Sequence, residues 1–544
     1  MPILSLLDRD MLETYGRAGF WGDQTIYAIA ASHATSRPDA PAVRDAAGPL
    51  TYAALVAQAD ALAADLSARG LRAGDRVAVW LPSRVEVAVA LLACSRNGYV
   101  CCPSLHRDHT VGEVAALCRR VRAKALLAQP GYGADGLRAD IFTAAESLRH
   151  AYRIPAAHRE GLPAPISGAT APDRDPNGII YLPFTSGTTG QPKGVLHSDN
   201  TLLANARALS ADWSFGPDSV LYTMSPLSHN LGLGALIAAL LVGGELVVHD
   251  LPRGASLYDR LVHTGATFLF GVPTHAIDLL AELRARGALS LGRVAGFRIS
   301  GAAAPAETVA GLMRHGVVPQ SGFGMTEICS SLYTTPGDDP TTIMETCGRA
   351  CPGFEVRIFR QDDTDTECAT GELGQIGGRG ASLMLGYFDD QAATEAAFNA
   401  SGWFMTGDLG TLDANGNLRI TGRAKDLIIR GGHNIHPARI EDLAMRHPGI
   451  ARAAAFPVPD ARLGEKACLA IVPTPGAQIS DDALLAHLDA AGLSRFDMPE
   501  FVLRLEALPL TASGKILKRD LVQRVRDGAL QPTPVRFKLE AANG

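Results

Sequence analysis

Thr185-Ser186-Gly187-Thr188-Thr189-Gly190-Gln191-Pro192-Lys193-Gly194 decides how this chain is read. It follows an apolar run, Ile179-Ile180-Tyr181-Leu182-Pro183-Phe184, with the length and composition of a buried strand. Its ten positions hold four hydroxyl residues, three glycines and one lysine. Glycine lets a backbone bend tightly and present N–H groups to an anion. Hydroxyls add donors, and lysine adds a mobile point charge. The sum reads as a phosphate-binding loop. No Gly-Lys-Ser/Thr triplet follows the spacer of a Walker loop, so an ordinary P-loop NTPase is disfavoured. A flexible surface turn is the blander reading of such a stretch.

Outward from the loop, residues 50 to 330 alternate between helix and strand patterns. Thr51 is placed to cap a helix running to Leu66, and Arg76–Pro82 and Tyr99–Cys102 read as strands flanking a helix over Val85–Ser95. Later strands are expected over Ser219–Met224, Glu245–His249, Ala266–Phe270 and Val294–Ser300. This order predicts βα units around largely parallel sheets, which bind ligands where loops leave the strands' carboxyl ends. Past Cys347 the character changes. Gly371–Gly386 reads as short β-strands, and Asp413–Asn417 as a hairpin tip. A compact αβ pattern then runs to the end, with helices over Pro437–Arg446 and Asp481–Ala491. The expected fold is therefore α/β, with a large N-terminal domain over 1–424 built of βα-layered sheets. A β-barrel-like subdomain is expected at about 345–424, and a small mobile α+β domain over 425–544.

Composition bounds the function. At 544 residues the chain should form several domains. Its net charge of −6 argues against general affinity for nucleic acid or anionic membranes. The nine cysteines are scattered without zinc-like spacing and read as buried free thiols of a reducing compartment. Acids appear too early for a signal peptide. The apolar region Leu231–Val248, broken by glycines and Glu245, suits a buried helix and strand better than a membrane span. A cytoplasmic protein with no integral membrane segment is expected.

Further motifs gain meaning beside the loop. Ser321-Gly322-Phe323-Gly324-Met325-Thr326-Glu327 offers a flat ring for a base and a carboxylate for Mg²⁺. Thr406-Gly407-Asp408 puts a carboxylate after a tight turn, able to accept two ribose hydroxyls, and Arg423 could meet a phosphate or ribose. Pro509-Leu510-Thr511-Ala512-Ser513-Gly514-Lys515 carries a lysine that matters only if a second domain delivers a cation to a reaction centre. Taken singly, each has an ordinary alternative: a turn with a surface acid, an exposed ion pair, a solvated lysine.

Together they resemble the adenylate-forming superfamily of acyl-CoA synthetases, luciferases and peptide-synthetase adenylation domains. The likeness covers nearly the whole chain, in the family's order: Thr185–Gly194, Ser300-Gly301-Ala302, Gly322–Glu327, Thr406–Asp408, Gly422–Asp426 and Gly514-Lys515. It implies ATP, Mg²⁺ and coenzyme A, and a two-step reaction. A carboxylate attacks the α-phosphate of ATP, then a thiol displaces AMP from the acyl-adenylate. By motif match, Thr185, Ser186, Gly187, Thr188, Thr189 and Lys193 would hold the β- and γ-phosphates, with Thr188 and Glu327 on Mg²⁺. Gly301, Ala302, Gly322 and Phe323 would frame adenine. Asp408 and Arg423 would bind ribose, Thr326 the α-phosphate, and Lys515 would bridge carboxylate and α-phosphate.

The resemblance further implies that the small domain rotates about Lys425. That motion would bring Arg430-Gly431-Gly432-His433-Asn434 to the site, where Gly431 and Gly432 would let a pantetheine arm pass. Relatives often have Glu at the position of His433, which is given no role. His229, in Pro226–Gly232, fits an aromatic position beside the carboxylate. His229-Asn230 replaces the Phe-Asp pair of peptide-synthetase domains and disfavours an amino acid. Phe270–His275 is expected to form another wall, and its apolar and small residues suggest an uncharged acyl tail. Phe20–Asp23 resembles bacterial synthetases for short- and medium-chain or alicyclic acids. The substrate expected is a short- or medium-chain, alicyclic or aromatic acid. Loading of a carrier protein is the alternative to coenzyme A. Pro509 with Gly514-Lys515 also resembles a site for a regulatory lysine acetyltransferase.

Overall fold

The computed structural model describes residues 3–537 except 147, 186–191, 253, 302–303, 432 and 512–513, and the side chain of 424. Ser186, Gly187, Thr188, Thr189, Ala302 and Gly432 therefore lie outside the described residues.

Two parallel-cored sheets carry the large domain. In the first, the strands Val318–Met325, Gly296–Ile299, Phe268–Gly271, Val220–Thr223, Glu245–Val248 and Pro41–Asp45 lie side by side and parallel, with antiparallel strands at both edges. In the second, Ile179–Tyr181, Val100–Cys102, Arg76–Trp80, Ala125–Ala128 and His150–Arg153 run parallel. Their central strands are buried on both faces, as near-continuous apolar runs require. The helix Asn230–Val242 is apolar all round and ends at Gly243, whose φ of 72° is the left-handed cap that glycine adopts without a Cβ clash. It packs between sheet layers, so the apolar region that begins at Leu231 is core. Among the described residues no helix is long and apolar enough to cross a membrane.

A four-stranded antiparallel sheet follows, from Phe354–Phe359 to Leu418–Arg423. Within Gly371–Gly386 only Gly374–Gly380 is a strand, fewer than the glycine-rich pattern suggested. The Asp413–Asn417 tip forms as expected, with the Asp413 carboxylate accepting from the backbone N–H groups of Asn415 and Asn417. The C-terminal sheet is built on Ile450–Asp460 and Gly464–Pro473, backed by the helices Pro437–Met445 and Asp481–Ala490, and has its own core. The fold is thus mixed α/β, with a large N-terminal and a small C-terminal domain. All nine cysteines are free, seven of them buried. Adjacent Cys101 and Cys102 point to opposite faces of their strand and join different cores.

Candidate active site

The small domain presents Lys515 from a tight hairpin. Thr511 closes it, its N–H donating to the Lys515 carbonyl at 2.7 Å and its hydroxyl accepting from the Lys515 N–H at 3.0 Å. Lys518 pairs with half-buried Glu441 at 2.6 Å, anchoring the hairpin's far end to its own domain. The tip docks on the large domain, where the Thr274 hydroxyl donates to the Gly514 carbonyl at 3.2 Å. Beside this contact, Arg452 pairs with Asp278 across the domains at 2.8 Å.

The docked lysine crosses Gly301. This glycine has φ 95°, and a Cβ there would lie 2.6 Å from the Lys515 Cε. The positive φ at 301 favours glycine, and a Cβ there would force the flexible end of Lys515 to shift. Burial holds the Lys515 ammonium below the usual lysine range, and Arg423 adds to the effect, while Asp408 and Glu327 oppose it. One cation and two acids from separate motifs therefore share one electrostatic environment.

Asp408 and Arg423 sit opposite each other on adjacent antiparallel strands, and Arg423 Nε donates to Asp408 Oδ1 at 2.7 Å. Thr406–Asp408 is not the tight turn expected but a register shift within the strand Phe404–Leu412, and its backbone is set locally. Gly407 has φ 76°, and the Thr406 hydroxyl accepts from the Asp408 N–H while donating to the Ile376 carbonyl. Burial pushes the Asp408 carboxyl up, against Arg423 and Lys515. Arg423 is held firmly protonated by Asp408.

Glu327 is buried. Its Oε1 accepts from the Tyr387 hydroxyl at 2.9 Å, and its Oε2 has no hydrogen-bond partner among the described residues. Desolvation raises its carboxyl above the usual range. An unpartnered, buried carboxylate oxygen is a hard donor suited to a hard cation. Lys193 lies over the Tyr387 ring, 4.5 Å from its centroid, so Tyr387 joins the end of the glycine-hydroxyl loop to Glu327. The loop's edges are fixed by a two-residue ladder, Phe184 with Gly194 and Thr185 with Lys193. Arg120 donates to the Pro192 carbonyl.

Behind the Thr326-Glu327 turn sits His197, fully buried, with Nε2 2.8 Å from the Thr326 carbonyl and Nδ1 3.1 Å from the Thr201 hydroxyl. A carbonyl only accepts, so the proton is on Nε2. Burial lowers this imidazole to about 4. Neither Tyr387 nor His197 was identified from the sequence. Tyr387 is 60 positions from Glu327, and His197 is 129 from Thr326, so no local spacing links either pair.

Phe323 departs from expectation. Its ring is 7% exposed and packed in the main core, so it is not the open stacking platform pictured from sequence. Gly322 beside it is half-buried, on the strand facing Tyr333. At Gly431 a Cβ would meet Leu463 of the same small domain at 3.2 Å. Gly431 has φ 58° on an exposed hairpin whose polar side chains are engaged within the small domain, Arg430 with Glu500 and His433 with Asp497.

His229 caps the helix Asn230–Val242, its Nδ1 accepting from the Leu231 N–H at 3.3 Å. Burial, Lys515 and His106 together lower it to about 3, so it is neutral at ordinary pH. Past it lies a narrow cavity. Leu231, Ile237 and Phe270 form an apolar side, while Asn230, Arg298 and Cys329 bring polar atoms. Cys329 has φ 53° and ψ −134°, a strained conformation held at this wall. Of the expected wall Phe270–His275, Phe270 lines the cavity, whereas Thr274 and His275 lie against Gly514 of the small domain.

The sequence profile of the AMP-binding enzyme family matches residues 30–388. The chain belongs to that family. The profile of the AMP-binding enzyme C-terminal domain matches 439–515, ending on Lys515. This AMP-binding enzyme is 30% identical to a medium-chain fatty-acid–CoA ligase of Escherichia coli K12, over 96% of this chain and 95% of that one. It is 31% identical to a salicyl-AMP ligase / salicyl-S-ArCP synthetase of Mycobacterium tuberculosis, over 95% and 93% respectively. Its fold superposes on ATP-bound MatB from Rhodopseudomonas palustris with a TM-score of 0.81 at 30% identity, covering 93% of this chain and 99% of that one.

Proposed function

We propose that this AMP-binding enzyme is an ATP-dependent carboxylic acid:CoA ligase. It forms acyl-CoA through an acyl-adenylate and releases AMP and pyrophosphate. The observation that carries the reading is Lys515, delivered by one domain across Gly301 into the field of Asp408 and Glu327 on the other. An ammonium held there is placed to steady the negative charge that develops as a carboxylate attacks the α-phosphate. Lys193 and Thr185, with Ser186, Gly187, Thr188 and Thr189, hold the departing pyrophosphate. Asp408 accepts from ribose hydroxyls while Arg423 fixes its orientation. Gly301, Ala302 and Gly322 border the adenine, and Thr326, steadied by His197, meets the α-phosphate. The free Oε2 of Glu327 suits Mg²⁺, shared with Thr188. When bound, the ion supplies charge neutralisation on the phosphates.

Thioester formation then requires the small domain to turn. Lys425 follows the Asp408–Arg423 ladder, where a hinge would leave the ribose site intact. The turn would withdraw Lys515 and bring Gly431 and Gly432 to the pantetheine arm. Acetylation of Lys515 by a lysine acetyltransferase would remove its charge. Its stem is covered in the docked arrangement, so the modifying enzyme would act on the undocked form. The setting is cytoplasmic, where ATP and coenzyme A are available.

The test is acid-dependent ATP–pyrophosphate exchange, followed by AMP release on adding coenzyme A. Exchange with no acyl-CoA product would favour the second reading, an acyl-AMP ligase loading a carrier protein, which the likeness to the salicyl-S-ArCP synthetase supports. No acid-dependent exchange with any carboxylate would sink both.

A further inference from the structure

The cavity past His229 contains a charge that its apolar side does not explain. Arg298 lies on the central strand Gly296–Ile299, two residues before the Ser300-Gly301 turn that receives Lys515. It is 1% exposed and lines the cavity. Its Nη1 donates to Gln320 Oε1 at 2.6 Å and its Nη2 to the Ser330 carbonyl at 2.9 Å, while its Nε has no partner among the described residues. The guanidinium stacks 5.1 Å from the Tyr333 ring centroid. Its electrostatic neighbours are Tyr333, Cys351 and Cys329, none of them a carboxylate. The nearby acid Asp212 is engaged by the Tyr333 hydroxyl at 2.8 Å.

Contrast the other fully buried arginine, Arg84. It makes a two-pronged pair with buried Glu86, at 2.6 and 2.8 Å, besides three further acceptors. A buried cation without a counter-ion costs several kcal/mol. Burial lowers the Arg298 guanidinium only to about 10, so it stays charged at neutral pH. Five N–H donors leave it capacity beyond the two bonds it makes. Asn205 also donates to the Ser330 carbonyl, at 3.0 Å, so that acceptor is shared rather than reserved for Arg298.

We infer that Arg298 is the specificity residue of this pocket, and that the acid it selects is short and carries a second oxyanion at the end remote from the reacting carboxylate. The occupant is a dicarboxylate or a sulfo-carboxylate. Its reactive carboxylate lies toward His229 and Lys515, and its tail anion pairs with the guanidinium, with Asn230 as a neutral donor on the way. The expected apolar tail is thereby replaced by a charged one. A tail lacking the oxyanion would leave the buried cation unpaired, which is the stronger route to discrimination than shape alone. The inference rests on the acid:CoA ligase reading.

The experiment measures kcat/KM for matched acids that differ only in the tail: succinate against butyrate, glutarate against valerate, and 3-sulfopropionate against butyrate. Wild type should favour the anionic member by about 100-fold. Arg298→Met should erase that preference by lowering kcat/KM far more for the anionic acid of each pair than for its uncharged partner, and Arg298→Lys should retain part of it. Carboxylate and sulfonate arms report which oxyanion fits. The inference is overturned if wild type favours the uncharged members, or if Arg298→Met lowers both members of each pair equally, as a purely structural role would. Should Arg298→Met not fold, the wild-type ratios decide. Absence of exchange with every acid would instead overturn the ligase reading, and this inference with it.

Discussion

The two sides of the reaction centre are built differently. On the nucleotide side, Asp408 answers Arg423 across adjacent strands, and Glu327 answers the Tyr387 hydroxyl. Backbone bonds within one short segment, such as Thr406–Asp408, set each group's position. On the proposed acyl side, Asn230, Phe270, Arg298 and Cys329 come from four separate elements, and among the described residues no acid pairs with Arg298. The nucleotide is the same for every member of such a family, so its site is made of local motifs with internal partners. The acid differs between relatives, and the proposed acid site is assembled from single positions, Arg298 among them.

Removing the cation is the largest way to break this contrast. Lys515→Ala should lower acid-dependent pyrophosphate exchange by about 10²–10³-fold. Thioester formation from supplied acyl-adenylate should change by less than about ten-fold, because Lys515 is then withdrawn. Since the ammonium lies below the usual lysine range, exchange should also decline with rising pH below the range of a free lysine. Lys515→Arg should push that decline higher. Equal losses in both half-reactions would contradict the division of labour.

Within the nucleotide side, Glu327→Gln should cost more than Tyr387→Phe. Losing the carboxylate should cut exchange by about 10²-fold and raise the Mg²⁺ requirement. Losing one hydroxyl hydrogen bond to that carboxylate should cost about ten-fold, with the Mg²⁺ requirement little changed. Reversal of that order would remove Glu327 from the metal site.

His197 gives a smaller, pH-read effect. Its folded value of about 4 lies below that of a free imidazole, so the unfolded chain binds a proton more readily between about pH 6.5 and 4. Its contribution is complete above that window and is lost as pH falls through it, by about 1.4 kcal/mol per pH unit. Denaturant unfolding at pH 7 and pH 5 should show this loss, and His197→Gln should flatten it. Smallest is Asp278→Ala. The Arg452 pair it breaks is exposed on the Asp278 side, so exchange should change by less than about five-fold. A larger change would mean that docking of Lys515 depends on that pair.

The local parts were legible in the amino-acid order. The Asp413–Asn417 tip and the apolar helix before Gly243 each depend on neighbours within a few residues. So did the βα alternation, because its hydrophobic period is set by the elements themselves. Phe323 was misjudged because an aromatic between glycines looks exposed in sequence, whereas the antiparallel pairing with Leu332 turns it into the core. Tyr387, His197 and Arg298 were missed because their partners lie on other elements.

What the sequence determined by itself is the family and the order of its motifs, since a glycine-hydroxyl loop or an apolar period is encoded in consecutive residues. What only the tertiary structure decided is which charges are answered. It runs Lys515 across Gly301 and, among the described residues, leaves one oxygen of Glu327 without a partner. It also buries Arg298 with no acid paired to it among the described residues, because desolvation and pairing depend on packing between distant segments.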